Sequence, residues 1–307
     1  MKKLILYTVV LISIPFLIVL FWKNDASVTL KEIQLNYLSN IVVRVKRVSS
    51  GEIQNVFLEE YVVGVVAGEM PVTFDIEALK AQSVASRTYV LKRMNSMQDY
   101  DVVDTVSNQV YLDSNDLKNK WKDKYTEYIN KIRNAVNDTS MEYLEFQGEI
   151  IDAMFFSTSN GYTEDSGVIF SNSLPYLKSV ESLYDEKISP AFYTSSSMSL
   201  QEFYERLGIS YQSNLEVIVV ERSNSNRVVK LKINGQLFLG KDLYYKLSLR
   251  SCDFSIEQIG NNVKIYTKGY GHGVGMSQYG AEGMAKNGYS YKDILSHYYV
   301  GTELKKV

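Results

Sequence analysis

The chain has 307 residues, with 33 Lys and Arg against 35 Asp and Glu and a formal net charge of -2, so it lacks the basic field that nucleic-acid binding requires. Its one cysteine, Cys252, excludes an intramolecular disulfide and any multi-cysteine zinc site. With only His272 and His297 besides, a metal cage would have to come largely from carboxylates, and no such constellation stands out.

The length fits one large domain or two ordinary ones at ~100–200 residues each. The first 25 residues read MKKLILYTVVLISIPFLIVLFWKND. Leu4 to Trp22 carries no charge and approaches the ~20 residues that cross a bilayer, with Lys2 and Lys3 ahead of it. This predicts a transmembrane anchor over 1–25, a cytoplasmic N-terminus and a remainder outside the cytoplasm. A cleaved signal peptide is the competing reading, but it would have an apolar region of ~7–15 residues and a small-x-small end, which Asn24-Asp25-Ala26 does not supply. Residues 26–40 read as a spacer.

From Ile41, IVVRVKRV alternates as a strand, Ser49-Ser50-Gly51 turns, and Ile53 to Leu58 returns. Next comes YVVGVVAGEMPVTFDIEALKAQSVASRTYVLKR at 61–93. Pro71 has no amide hydrogen and restricts Met70, so the helix holding Val62, Val65 and Val66 should stop near Glu69. A second helix follows, with Thr73 or Asp75 as N-cap and Ile76, Leu79, Val84, Leu91 and Met94 at roughly helical spacing. Two helices joined by a tight Pro turn can bring Arg87 near Glu69, where a guanidinium would orient the carboxylate or a ligand. Glu69 as a surface carboxylate at a helix end, with Arg87 solvated or in a structural salt bridge, is the plainer alternative.

Residues 101–113 read as a polar, partly extended connection, and 115–137 as one amphipathic helix on the spacing of Leu117, Trp121, Tyr125, Tyr128, Ile132 and Ala135. A hairpin through Gly148 then delivers STSNGYTEDSG at 157–167, whose small hydroxyls suit either a groove floor or an ordinary turn. Ser199 to Leu207 is a capped helix closed by Gly208, and strands at Leu215–Val220 and Val228–Ile233 precede an Asn234-Gly235 hairpin. Residues 199–260 therefore read as an inserted or appended subdomain beside a main domain of 41–198 and 261–307. The fold class expected is α+β, mixed helices and antiparallel hairpins around a substrate groove. Near the end, Val263–Ile265 is a strand, and glycines at 269, 271, 273, 275 and 280 surround His272 before a helix capped by Ser277.

These last stretches carry a resemblance. GYGHGVGMSQYGAEGMAKNGYSYKDILSHYYVGT at 269–302, YVVGVVAGEMP at 61–71, ALKAQSVASRTYVL at 78–91, FFSTSNGYTEDS at 155–166 and LPYLKSVES at 174–182 resemble, in order, the motifs of the stage II sporulation protein D family. The resemblance implies a membrane-anchored lytic transglycosylase that cuts peptidoglycan glycan strands, preferably stripped of stem peptides, during forespore engulfment. It implies Glu69 as catalytic glutamate and Arg87 as its supporting arginine, and a location in the engulfing mother-cell membrane facing the forespore. The partners implied are an amidase, stage II sporulation protein P, and the membrane partner stage II sporulation protein M. Some members hold zinc in a His/Cys cluster after the catalytic helix; here DTVSNQVYLD at 104–113 has neither residue type, so no zinc and no other cofactor is expected.

A lone carboxyl suits this chemistry, because closing a 1,6-anhydro ring uses an internal hydroxyl and dispenses with the second carboxylate of most glycosidases. For the groove, Ser157, Ser159, Asn160, Tyr176, Lys178, His272, Ser277 and Gln278 are the expected sugar-contacting residues; His272 reads equally as a structural residue in its glycine-rich turn. Related amidase-enhancer proteins share the motifs, so a non-catalytic glycan-binding enhancer of an amidase is the alternative function.

Overall fold

Strand β1 (Val42–Lys46) pairs antiparallel with β2 (Ile53–Phe57), as the alternation predicts: Val43 and Val45 are fully buried while their neighbours face outward. Helix α1 (Leu58–Glu69) leaves β2 directly and ends where Met70 turns extended ahead of Pro71. Helix α2 (Ile76–Arg93) starts at Asp75, whose side chain accepts the Glu77 N–H at 2.9 Å. Alanines 78, 81 and 85 with Ser83 and Ser86 make α2 thin, so it is buried among its neighbours. Strand β3 (Val102–Val103) runs parallel beside β1.

The single helix expected over 115–137 is two, α3 (Ser114–Trp121) and α4 (Tyr125–Asp138), with one 3-10 turn at Lys122–Lys124. Lys122 has φ 49, which breaks the helix, yet Leu117, Trp121, Tyr125, Ile129 and Ile132 stay buried on one side. The apolar rhythm therefore survives a break that it does not report. Strands β4 (Glu142–Phe146) and β5 (Glu149–Ile150) form the expected hairpin around Gln147-Gly148, both at positive φ. The return strand is only two residues long, and Phe155–Phe156 forms a separate strand, β6. Short helices α5 (Ser166–Ile169) and α6 (Asp185–Ile188) punctuate the next loops.

Then follow β7 (Tyr193–Ser199), α7 (Leu200–Leu207), β8 (Val217–Arg222), β9 (Val228–Ile233), β10 (Gln236–Leu239), α8 (Gly240–Lys246), β11 (Phe254–Ile259) and β12 (Asn262–Lys268). They make two antiparallel sheets, β10-β9-β8 and β11-β12-β7. The Asn234-Gly235 turn and the Gly208 helix end, at φ 76, fall where the sequence puts them. These elements bury a core of their own, including Phe203, Leu231, Ile233, Leu243, Val263 and Ile265. Strand β13 (Met276–Ser277) pairs parallel with β6; helix α9 (Gln278–Lys286) is capped by Ser277 as expected, and α10 (Tyr291–Tyr298) and β14 (Glu303–Lys306), paired with β4, close the chain on the first core.

The fold is thus α+β, with mixed helices and mainly antiparallel sheets. The computed structural model describes residues 31–35, 40–94, 97–170 and 172–307; the anchor expected over 1–25 and most of the spacer over 26–40 lie outside these. Among the described residues no helix is long and apolar enough to cross a membrane.

Candidate active site

Glu69 occupies its place because α1 presents a bare face to the loop before α3. A Cβ on Gly68 would stand 2.4 Å from the Val110 carbonyl oxygen, and one on Gly64 2.4 Å from the Tyr111 ring, so only glycine lets the loop lie this close. Tyr61, two turns before Glu69, stacks on Tyr111 at 5.4 Å, and its hydroxyl donates to the buried Gln109 side-chain oxygen at 3.0 Å. The loop so held aims the Val110 N–H at Glu69, donating to Oε1 at 2.6 Å. Glu69 is partly buried. Desolvation lifts its carboxyl above the ordinary range, and the Val110 hydrogen bond opposes that only in part. Among the described residues no cation pairs with it.

Arg87 does not reach Glu69, and the expectation that it does is corrected. Its guanidinium is fully buried and clamps Glu59 at two points, Nε to Oε1 at 2.9 Å and Nη2 to Oε2 at 2.6 Å. Nη1 donates to the Glu142 carbonyl at 2.9 Å. Glu59 lies at the start of α1 and Glu69 at its end, so the helix crossing brings Arg87 to the opposite end from the one the Pro turn suggested. A guanidinium so enclosed joins α1, α2 and β4.

Of three residues that the sequence reading passed over, Tyr89, on α2, lies within the electrostatic reach of Glu69, and Arg93 and Asp152 lie in turn beyond Tyr89. The Arg93 guanidinium lies 3.3 Å from the Tyr89 ring centroid, and its Nη1 donates to Asp152 at 2.8 Å. The Asp152 N–H in turn donates to the Tyr176 hydroxyl at 3.1 Å, and the charge of Asp152 bears on His272. Tyr89, Arg93, Asp152 and Tyr176 are thereby linked in a row by direct contacts. The spacing of Tyr89 and Arg93, one helical turn apart, was the available signal.

Of the expected groove residues, most hold the protein together. Ser159 and Ser277 are fully buried around Asp185, which accepts from the Ser159 N–H at 2.8 Å, from the Ser277 hydroxyl, and from the Ser182 hydroxyl at 2.6 Å. Burial raises the Asp185 carboxyl and those bonds oppose the rise. Asn160 donates to the Ser225 carbonyl at 2.7 Å and to Asp253 at 2.8 Å, and Gln278 donates to buried Gln82. Tyr176 is buried with its ring tilted on Phe146. Ser157 and Lys178 remain partly exposed, Lys178 turned to Asp165 at 3.0 Å. His272 accepts the Val274 N–H on Nδ1 at 3.0 Å. Desolvation first, and then the Arg227 charge, push its pKa down to about 4, so it is neutral in a structural turn. Small hydroxyls in loops satisfy buried polar groups as readily as they bind ligands, which sequence alone cannot separate.

The profile of a family described as stage II sporulation protein matches residues 46–146, the part that holds Glu69, Tyr89 and Arg93. A second, described as a domain of unknown function, matches residues 115–275. Stage II sporulation protein D of Bacillus amyloliquefaciens is 43% identical over 290 residues, spanning 92% of this chain and 82% of the relative. The chain belongs to the stage II sporulation protein D family. Its namesake from Bacillus subtilis (strain 168) is 40% identical over 275 residues, covering 87% of this chain and 80% of the relative. An amidase enhancer of Bacillus subtilis (strain 168) is 27% identical over 297 residues, which span 78% of this chain and 40% of that protein. In this member of the family, residues 104–113, bare of His and Cys, are held to α1 by stacking and hydrogen bonds.

Proposed function

We propose that the protein is a peptidoglycan lytic transglycosylase of sporulation, with Glu69 as acid and base. One observation carries this: Glu69 is a partly buried carboxyl, raised by desolvation, and among the described residues it has no cation beside it and a single backbone amide as partner. A carboxyl in that setting keeps its proton closer to neutral pH, as a general acid requires. Glu69 gives its proton to the oxygen linking muramyl C1 to the next sugar, and the C1–O bond breaks. The resulting carboxylate takes the proton of the muramyl C6 hydroxyl, whose oxygen closes on C1 to form the 1,6-anhydro ring. Glu69 ends protonated, and no second carboxylate is needed.

The same reading assigns the uncharged stretch Leu4 to Trp22 to a membrane anchor and the remainder to the extracytoplasmic side, in the engulfing membrane facing the forespore. Strands stripped of stem peptides are its preferred substrate. Its partners are the amidase stage II sporulation protein P, which strips them, and stage II sporulation protein M in the membrane. Mass spectrometry of stripped glycan strands after incubation, wild type beside Glu69→Gln, tests the activity. 1,6-Anhydromuramyl ends from the wild type alone uphold it, and reducing ends would make the protein a hydrolase.

A second reading is favoured by the relative named amidase enhancer. In it the protein holds glycan and stimulates an amidase, and strands stay uncut by wild type and Glu69→Gln alike.

A further inference from the structure

We propose that Tyr89 is a second catalytic residue of this site, its hydroxyl donating a hydrogen bond to an oxygen of the muramyl residue whose bond Glu69 protonates; this rests on the transglycosylase reading. The Val103 N–H donates to Asn108 Oδ1 at 2.9 Å, which fixes the amide and leaves Asn108 Nδ2 facing the Tyr89 hydroxyl. Nδ2 donates to that hydroxyl at 3.4 Å, occupying a lone pair of the phenolic oxygen. The phenol's own proton has no acceptor among the described residues, although Tyr89 is only 8% exposed. A nearly buried donor without an acceptor is uncommon in a folded protein, and here the loop that turns Asn108 to Tyr89 also turns the Val110 N–H to Glu69.

The ring is held for the task. Arg93 covers one face at 3.3 Å from the centroid and is itself fixed by Asp152 at 2.8 Å and by the Tyr89 carbonyl at 3.3 Å. Burial keeps the phenol protonated, and Arg93 and the Asn108 hydrogen bond oppose that effect while Asp152 and Glu69 add to it. A fixed neutral donor needs no reorganisation when charge shifts in the substrate, so it stabilises the transition state more than the ground state. The exposed edge of Tyr89 is where the sugar meets it.

The test compares full-length wild type, Glu69→Gln and Tyr89→Phe on stripped glycan strands. Tyr89→Phe keeps the ring under Arg93 and deletes only the donor. Its rate at saturating strands should fall ~10- to 100-fold, with KM within ~3-fold of wild type and an unchanged thermal midpoint. The alkaline limb of the pH profile, set by Glu69 losing its proton, should stay in place. An unchanged rate would overturn the inference. So would a fall accompanied by a moved limb, since Tyr89 would then act on Glu69 and not on substrate. Strand binding supplies a readout free of turnover: in a Glu69→Gln background, adding Tyr89→Phe should leave binding within ~3-fold, and a larger loss would overturn the inference, since Tyr89 would then hold the bound strand and not act in the transition state. If the wild type cuts nothing, the transglycosylase reading fails and this one with it; if the wild type cuts, Glu69→Gln does not and Tyr89→Phe equals the wild type, only the role of Tyr89 is lost.

Discussion

Glu59 and Glu69 stand on one helix and differ in what faces them. Glu59, 3% exposed, meets a guanidinium at two points, and Glu69 meets one backbone amide. The difference sets two expectations. Removing Arg87 leaves the Glu59 charge buried with only the Met141 N–H, at 3.2 Å, to answer it, so Arg87→Met should cost about 3–5 kcal/mol in urea unfolding, and adding Glu59→Leu should recover most of it. A loss equal in single and double variants would show that the pair itself is not what Arg87 serves. Glu69 behaves in the opposite way. Its folded-state carboxyl is raised above the ordinary 4.5, so the fold favours the protonated form; that stabilisation is complete below about 4.5 and is lost as pH rises through the folded-state value. Glu69→Gln should therefore melt with the wild type near pH 4 and progressively above it toward neutral pH, while abolishing cleavage. Pro71 made the place of Glu69 legible in the sequence. The partner of Arg87 was not legible, because spacing along two helices fixes their faces but not the end at which they cross.

At the scale of elements, local signals carried far. The Asp75 cap, the Ser277 cap, the Asn234-Gly235 hairpin and the β1–β2 alternation are all short-range features, and each forms where the sequence places it. The break at Lys122 and the parallel β6–β13 pair, which joins Phe155 to Met276, were not foreseen. Periodicity is blind to one irregular turn, and pairing across some 120 residues leaves no local trace. The approach of α1 to the 110–112 loop belongs to this scale as well, and it is what orients Glu69. A Cβ at Gly68 would meet a backbone oxygen at 2.4 Å, and backbone cannot rotate aside as a side chain does, so Gly68→Ala must push the loop away and withdraw the Val110 N–H. Stability should fall by about 1–3 kcal/mol, as for other overpacked sites, with cleavage reduced by more than the folded fraction alone explains. Retained turnover per folded molecule would mean that the amide is dispensable to Glu69.

Across the whole molecule, two apolar cores meet through polar chemistry. Residues 199–260 read in sequence as an inserted or appended subdomain, and from within them Arg227, 2% exposed, reaches back to the Tyr162 carbonyl at 3.2 Å and lies against Gly273, where a Cβ would come within 2.6 Å of its guanidinium carbon. Ser223 and Ser225 donate to the buried Glu164, and Asn160 spans Ser225 and Asp253. No periodicity announces such a seam, since its members are loop residues far apart in the chain. A buried polar network holds only while each member has its partner. Asn160→Leu removes a donor from both the Ser225 carbonyl and Asp253 and should cost about 1–3 kcal/mol, spent where the cores join and not inside either. Trp121 lies in the first core, and Trp22 is the other tryptophan of the chain, so with Trp22→Phe the fluorescence reports that core alone. In urea, Trp121 fluorescence and far-ultraviolet circular dichroism should trace one transition in the Trp22→Phe chain and separate once Asn160→Leu is added, as the second core loses its hold on the first. Coincident curves in both would mean that the cores are coupled elsewhere, and that Asn160 fills its pocket without joining them.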